Sequence, residues 1–205
     1  MKYLALGDSY TVGEGVGAAE RWPVLLAQAL RDGGVAIDDP RIIATTGWTT
    51  DELADAIDAA GPLGQWDFVT LLAGVNNQYR GRALDEYREQ FEALLHRAIA
   101  LAGGRCERVM VLSIPDWGVT RFGAESGRDL AQVSRELDAF NDAARAISAR
   151  HGVAFVDIAP VSRARGGAPA MQAGDGLHPS AAMHALWLRE ALPVAQRLLS
   201  DTEPD

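Results

Sequence analysis

Five short apolar runs, rich in β-branched residues, punctuate the chain at Tyr3–Leu6, Arg41–Ala44, Phe68–Leu72, Arg108–Ser113 and Val153–Asp157. Most are continuous rather than alternating, the pattern of parallel strands covered on both faces. Helical segments separate them. Glu20–Arg31 carries Trp22, Leu25, Leu26 and Leu30, and Asp51–Ala60 opens at the start signal Thr49-Thr50-Asp51-Glu52. Leu84–Ala102 places Tyr87, Phe91, Leu94, Leu95 and Ile99 on one stripe and stops at Gly103-Gly104. Arg128–His151 carries Leu130, Val133, Leu137, Phe140, Ala144 and Ile147, followed by Gly152. A last helix is expected from about Ser180 to Leu199, kinked at Pro193. This alternation predicts one domain over residues 1–205. Its expected fold is α/β, a three-layer α/β/α sandwich, flavodoxin-like, around a five-stranded parallel sheet. Asp201–Asp205 is expected to fray.

Several function classes are disfavoured. A net charge of −9 argues against non-specific nucleic-acid binding and against attraction to an anionic membrane. No apolar run reaches the ~18 residues of a membrane span. Only four apolar residues stand between Lys2 and Gly7-Asp8, too few for a secretory leader. Cys106 is the only cysteine, so neither an intrachain disulfide nor a cysteine zinc cluster can form. A cytoplasmic enzyme is the resulting expectation.

In an open parallel sheet, ligands bind at the carboxyl ends of the strands. Strand one delivers Gly7-Asp8-Ser9 to that edge, and strand two Thr45-Thr46-Gly47-Trp48. Strand three delivers Ala73-Gly74-Val75-Asn76-Asn77, and strand four Ile114-Pro115-Asp116-Trp117-Gly118. The segment after strand five ends in Asp175-Gly176-Leu177-His178. Two connections there, Ile114–Glu125 and Ile158–Pro179, are longer than the topology needs, which favours function over mere connection. A serine hydroxyl needs a base within hydrogen-bond reach to act as a nucleophile. Histidine is the side chain suited to that near neutral pH.

Gly7-Asp8-Ser9, Gly47, Gly74-x-Asn76 and Asp175-x-x-His178 together resemble the four blocks of the SGNH hydrolases, the GDSL-type esterases and lipases. The blocks occur in the family's order and span residues 7 to 178. Ser113–Thr120 is also similar to a loop of bacterial members. The resemblance implies Ser9 as nucleophile, His178 as general base and then acid, and Asp175 as the group orienting the imidazole. It implies an oxyanion hole from the backbone N–H of Ser9 and Gly47 and the side-chain amide of Asn76. Three positions depart from the pattern: Asn77 stands where an aspartate often follows, Tyr10 where leucine is common, and Gly47 lacks the usual polar context before it.

The expected activity is hydrolysis of a small carboxylic O-acyl ester, without cofactor or metal. The same residues would serve an acyltransferase, a thioesterase or a carbohydrate deacetylase. A non-catalytic flavodoxin-like binding module is the alternative of a different class. Candidate substrate contacts are Trp48, Asn77, Asp116 and Trp117, with packing or turn roles as the competing readings. Asp8 is read as stabilising its own turn. His96, His151 and His184 fall on helices and are read as structural, His151 as support for a helix C-terminus. Gly13-Glu14-Gly15-Val16-Gly17-Ala18 matches a dinucleotide fingerprint in letters only, because no strand immediately precedes it. The chain has no G-x-S-x-G elbow.

Overall fold

The computed structural model describes residues 1–200; the fraying expected of Asp201–Asp205 lies outside them. The five strands are β1 (Tyr3–Gly7), β2 (Arg41–Ala44), β3 (Phe68–Leu72), β4 (Val109–Leu112) and β5 (Ala154–Val156). They form one all-parallel sheet in the order β2-β1-β3-β4-β5. The last two strands, β4 and β5, are shorter than their apolar runs. Arg108 belongs to a 3-10 turn, and Asp157 turns out of β5 so that its carboxylate accepts the Ser113 hydroxyl at 2.9 Å.

The expected long helices are α2 (Trp22–Asp32), α3 (Thr50–Ala59), α5 (Leu84–Leu101), α7 (Leu130–Arg150) and α9 (Ala181–Ser200). Four short ones were not anticipated: α1 (Ser9–Val12), α4 (Val75–Tyr79), α6 (Arg121–Glu125) and α8 (Ala159–Arg165). The two long connections are therefore partly helical. α6 is capped by Thr120, whose hydroxyl accepts the Gly123 N–H, and α8 carries a proline in its first turn. At the start of α3 the Glu52 carboxylate accepts the Thr49 N–H at 2.9 Å, the return half of the expected capping box.

Right-handed crossovers divide the helices between the faces. α2 packs on α9 on one side, while α3, α5 and α7 pack in sequence on the other. β1 and β3 are buried along their whole length, as continuous apolar runs require. Between α5 and α7, Tyr87 stacks on Phe140 with ring centroids 4.5 Å apart. α9 continues through Pro193 as a single helix. The lost bond to the Arg189 carbonyl is outweighed by burial of Met183, Trp187, Ala191, Ala195 and Leu199. Among the described residues no helix is long and apolar enough to cross a membrane.

Candidate active site

Register brings the site together. Gly7 pairs with Ala44 on one side and Leu72 on the other, so the segments after β1, β2 and β3 leave the sheet at one level. After β1 the backbone enters α1 at once. Asp8 caps it: Oδ1 accepts the Tyr10 N–H at 3.0 Å, and its carbonyl accepts those of Thr11 and Val12. The first-turn N–H that none of these bonds uses is that of Ser9, and the Ser9 side chain stands at the helix start.

Asp175 and His178 sit just before α9 and bind each other twice over. Asp175 Oδ1 accepts the N–H groups of Leu177 (2.9 Å) and His178 (3.0 Å), while Oδ2 lies 2.6 Å from His178 Nδ1. Partial burial pushes the Asp175 pKa up, but these hydrogen bonds outweigh it and hold the carboxyl below its ordinary value. The carboxylate is therefore charged at neutral pH and engages one ring nitrogen, which leaves Nε2 as the other. The tight turn is closed from outside by the Ala173 N–H on the His178 carbonyl, 2.7 Å. Tyr10 connects this turn to α1. Its ring meets His178 edge-on at 6.1 Å and Trp187 at 5.8 Å. The residue after Ser9 thus packs on the histidine, which is 9% exposed.

The loop carrying Gly47 is tied to the β3–α5 segment, which carries Asn76, by three side chains of that segment. Asn76 Nδ2 donates to the Trp48 carbonyl (2.8 Å), and Arg80 Nη2 donates to the Gly47 carbonyl (2.7 Å). Asn77 Oδ1 accepts the Thr50 N–H (3.0 Å). Gly47 adopts φ +90°, a left-handed backbone that favours glycine. Gly74, with φ +127°, also leaves no room for a side chain, unlike Gly47: a Cβ there would lie 2.5 Å from Tyr87 Cε2. Gly74 thus lets α5 and the segment after β4 close onto the end of β3, while Gly47 is required by its backbone conformation alone.

The four candidate substrate contacts divide. Trp48 is partly exposed on the loop beside Gly47. Asn77 is completely buried, with its amide nitrogen on the Thr50 hydroxyl at 2.7 Å, so it ties α3 to α4. Trp117 is also buried and donates Nε1 to Gln78 Oε1 at 2.9 Å. Asp116 accepts the Gly118 N–H and pairs with Arg163 Nε at 2.8 Å. Asp116 and Trp117 line a small cavity of about 20 Å³, room for a single water, beside Tyr10, Leu177 and Trp187. Their types and spacing in the chain gave no sign of these inward partners.

Sequence reasoning missed Tyr10 and Arg80 as positioning groups, and no local pattern marks either. His184, as expected, is internal. Its Nδ1 accepts the Trp22 N–H at 3.2 Å, and burial pulls its pKa down to about 4. Asp8 is completely buried, and burial pushes its pKa up to about 7 against the Tyr10 hydrogen bond. It caps α1, while His178 Nδ1 is engaged by Asp175.

A model of the GDSL-like lipase/acylhydrolase family matches residues 5–186. No curated protein matches the sequence. Among solved structures, that of TesA is 22% identical with a TM-score of 0.76, covering 97% of this chain and 100% of that one. The psychrotrophic esterase EstA from Pseudoalteromonas sp., solved as inhibited by monoethylphosphonate, is 18% identical with a TM-score of 0.73, covering 98% and 99%. Axe2, an acetyl xylan esterase from Geobacillus stearothermophilus, is 20% identical with a TM-score of 0.72, covering 95% and 94%. At these identities the likeness establishes a shared fold.

Proposed function

The chain belongs to the GDSL-like lipase/acylhydrolase family, and from that premise we propose that it hydrolyses small carboxylic O-acyl esters through an acyl-Ser9 intermediate. The observation that carries this reading is the 2.6 Å contact of the Asp175 carboxylate with His178 Nδ1, with Tyr10 linking that histidine to the turn that bears Ser9.

The reaction follows from the groups present. His178 Nε2 takes the Ser9 proton as Oγ attacks the ester carbonyl carbon. Asp175 holds the imidazole and stabilises its charged form. The tetrahedral oxyanion is bound by the N–H groups of Ser9 and Gly47 and by the Asn76 Nδ2 hydrogen not given to Trp48. The intermediate collapses, the C–O bond breaks, and the departing alkoxide takes the proton from His178. Water then attacks the acyl carbon with His178 again as base. The carboxylic acid leaves and Ser9 is restored. Asn76 Nδ2 is already bonded to the Trp48 carbonyl before substrate arrives, so its remaining hydrogen needs no reorganisation during reaction.

Intact mass after fluorophosphonate treatment tests the proposal. One adduct on the wild type, mapped to Ser9 and absent from Ser9→Ala, is expected. Absence of an adduct on folded wild type would refute an activated Ser9 and favour the binding-module reading. A panel of oxygen esters, thioesters and acetylated sugars, each with and without an acceptor alcohol, then separates the esterase from a thioesterase, a deacetylase or an acyltransferase.

A further inference from the structure

Away from the catalytic edge, Glu92, His96 and His151 bring one carboxylate oxygen and two imidazole nitrogens within 4.8 Å of one another. Glu92 and His96 are four residues apart on α5 and so share a face. His151 comes from the end of α7, where its backbone N–H is bound to the carbonyls of Ile147 and Ser148. Its Nε2 lies 2.7 Å from Glu92 Oε1, and its ring meets His96 edge-on at 4.5 Å. The chain turns directly from His151 into β5, so the cluster lies toward the amino edge of the sheet, opposite Ser9.

We infer that Glu92, His96 and His151 form a binding site for a divalent transition metal of the Zn²⁺ type that bridges α5 and α7. Two imidazoles and one carboxylate are the donor set that Zn²⁺ takes, with water completing a tetrahedron. Metal–ligand bonds of about 2.0–2.1 Å place ligand atoms roughly 3.3 Å apart in that geometry. The Glu92–His151 pair need open only slightly, and His96, which is exposed, can swing inward. Arg150 Nη2 holds Glu92 Oε2 at 3.1 Å, which orients the carboxylate and leaves Oε1 for the ion. A groove along the α5–α7 seam, whose charged lining is Arg88, Glu89, Glu92, Asp142 and Arg150, reaches the cluster at Glu92. Arg88 is paired with Asp85 at 2.6 Å, and Glu89 and Asp142 stand in the same groove as Arg150. The site is separate from ester hydrolysis and does not depend on it.

Calorimetric titration of tag-free, chelator-treated protein with Zn²⁺ is the test, with the thermal midpoint as a second readout. We expect one Zn²⁺ per chain and a rise in Tm. His96→Ala and His151→Ala should each weaken binding ~10-fold or more and abolish the rise in Tm. His178→Ala should bind as the wild type does. Because His96 is on the surface, its variant folds, and its fluorophosphonate labelling should equal that of wild type. No binding by the wild type would overturn the inference and leave a plain Glu–His ion pair. Binding unaffected in both variants would overturn it as well. Binding lost only in His178→Ala would place the ion at the catalytic histidine instead.

Discussion

Replacing Asp8 by asparagine removes the one buried carboxyl of the first turn while keeping its shape. In the wild type Oδ1 accepts the Tyr10 N–H, and Oδ2 is buried without a hydrogen-bond partner. Burial therefore favours the protonated acid and raises its pKa from the ordinary 3.8 to about 7. Below pH 3.8 the folded and unfolded chains both hold this proton. Between there and pH 7 the unfolded chain has released it and the folded one has not, so stability falls as pH rises, then levels off. At 1.36 kcal/mol per pH unit the full window amounts to about 4 kcal/mol, of which about 3 lies between pH 5 and pH 8. Asparagine caps a helix as well as aspartate and does not ionise. Urea melts of both proteins at pH 5 and pH 8 should show Asp8→Asn gaining about 3 kcal/mol on the wild type between the two. Every other titrating group is common to both proteins and cancels in the difference. A difference that stays constant with pH would refute the argument that burial, rather than the Tyr10 bond, controls this carboxyl.

Three further outcomes are expected. Asp175→Asn should lower kcat by roughly 10³–10⁴ in ester hydrolysis while leaving the circular dichroism unchanged, and near-normal turnover would remove Asp175 from its role. Asn76→Ala should lose ~10²–10³ in kcat with a smaller change in KM; a loss confined to KM would make Asn76 a ground-state contact instead. His184 has its pKa lowered from 6.5 to about 4, so the stability it permits is complete above pH 6.5 and is lost as pH falls through 4. Wild type should lose about 3 kcal/mol more than His184→Gln between pH 7 and pH 4 in urea melts, and parallel curves would contradict a neutral buried imidazole.

Much of the framework is legible in the chain itself. Continuous apolar runs such as Phe68–Leu72 can be satisfied only by cover on both faces, and the 3-4 spacing from Leu130 to Ile147 allows only a helix. Strand ends then follow, and with them the order in which Ser9, Gly47, Asn76 and His178 reach one edge. The short helices were not legible, because a single turn such as α1 or α4 does not form through its own propensity. It exists because Asp8 caps it or because Asn76 and Asn77 are tied to the neighbouring loop. Partner choice was equally hidden. Asn76 and Asn77 are the same residue type in adjacent positions, yet one binds the Trp48 carbonyl beside Gly47 and the other is buried against Thr50. Nor does sequence bring Glu92 to His151 across a 59-residue separation. Periodicity is a property of one segment and sets which face is buried. Hydrogen-bond partners belong to pairs of segments, and only the packed sheet and its two helix layers bring those segments within reach of each other.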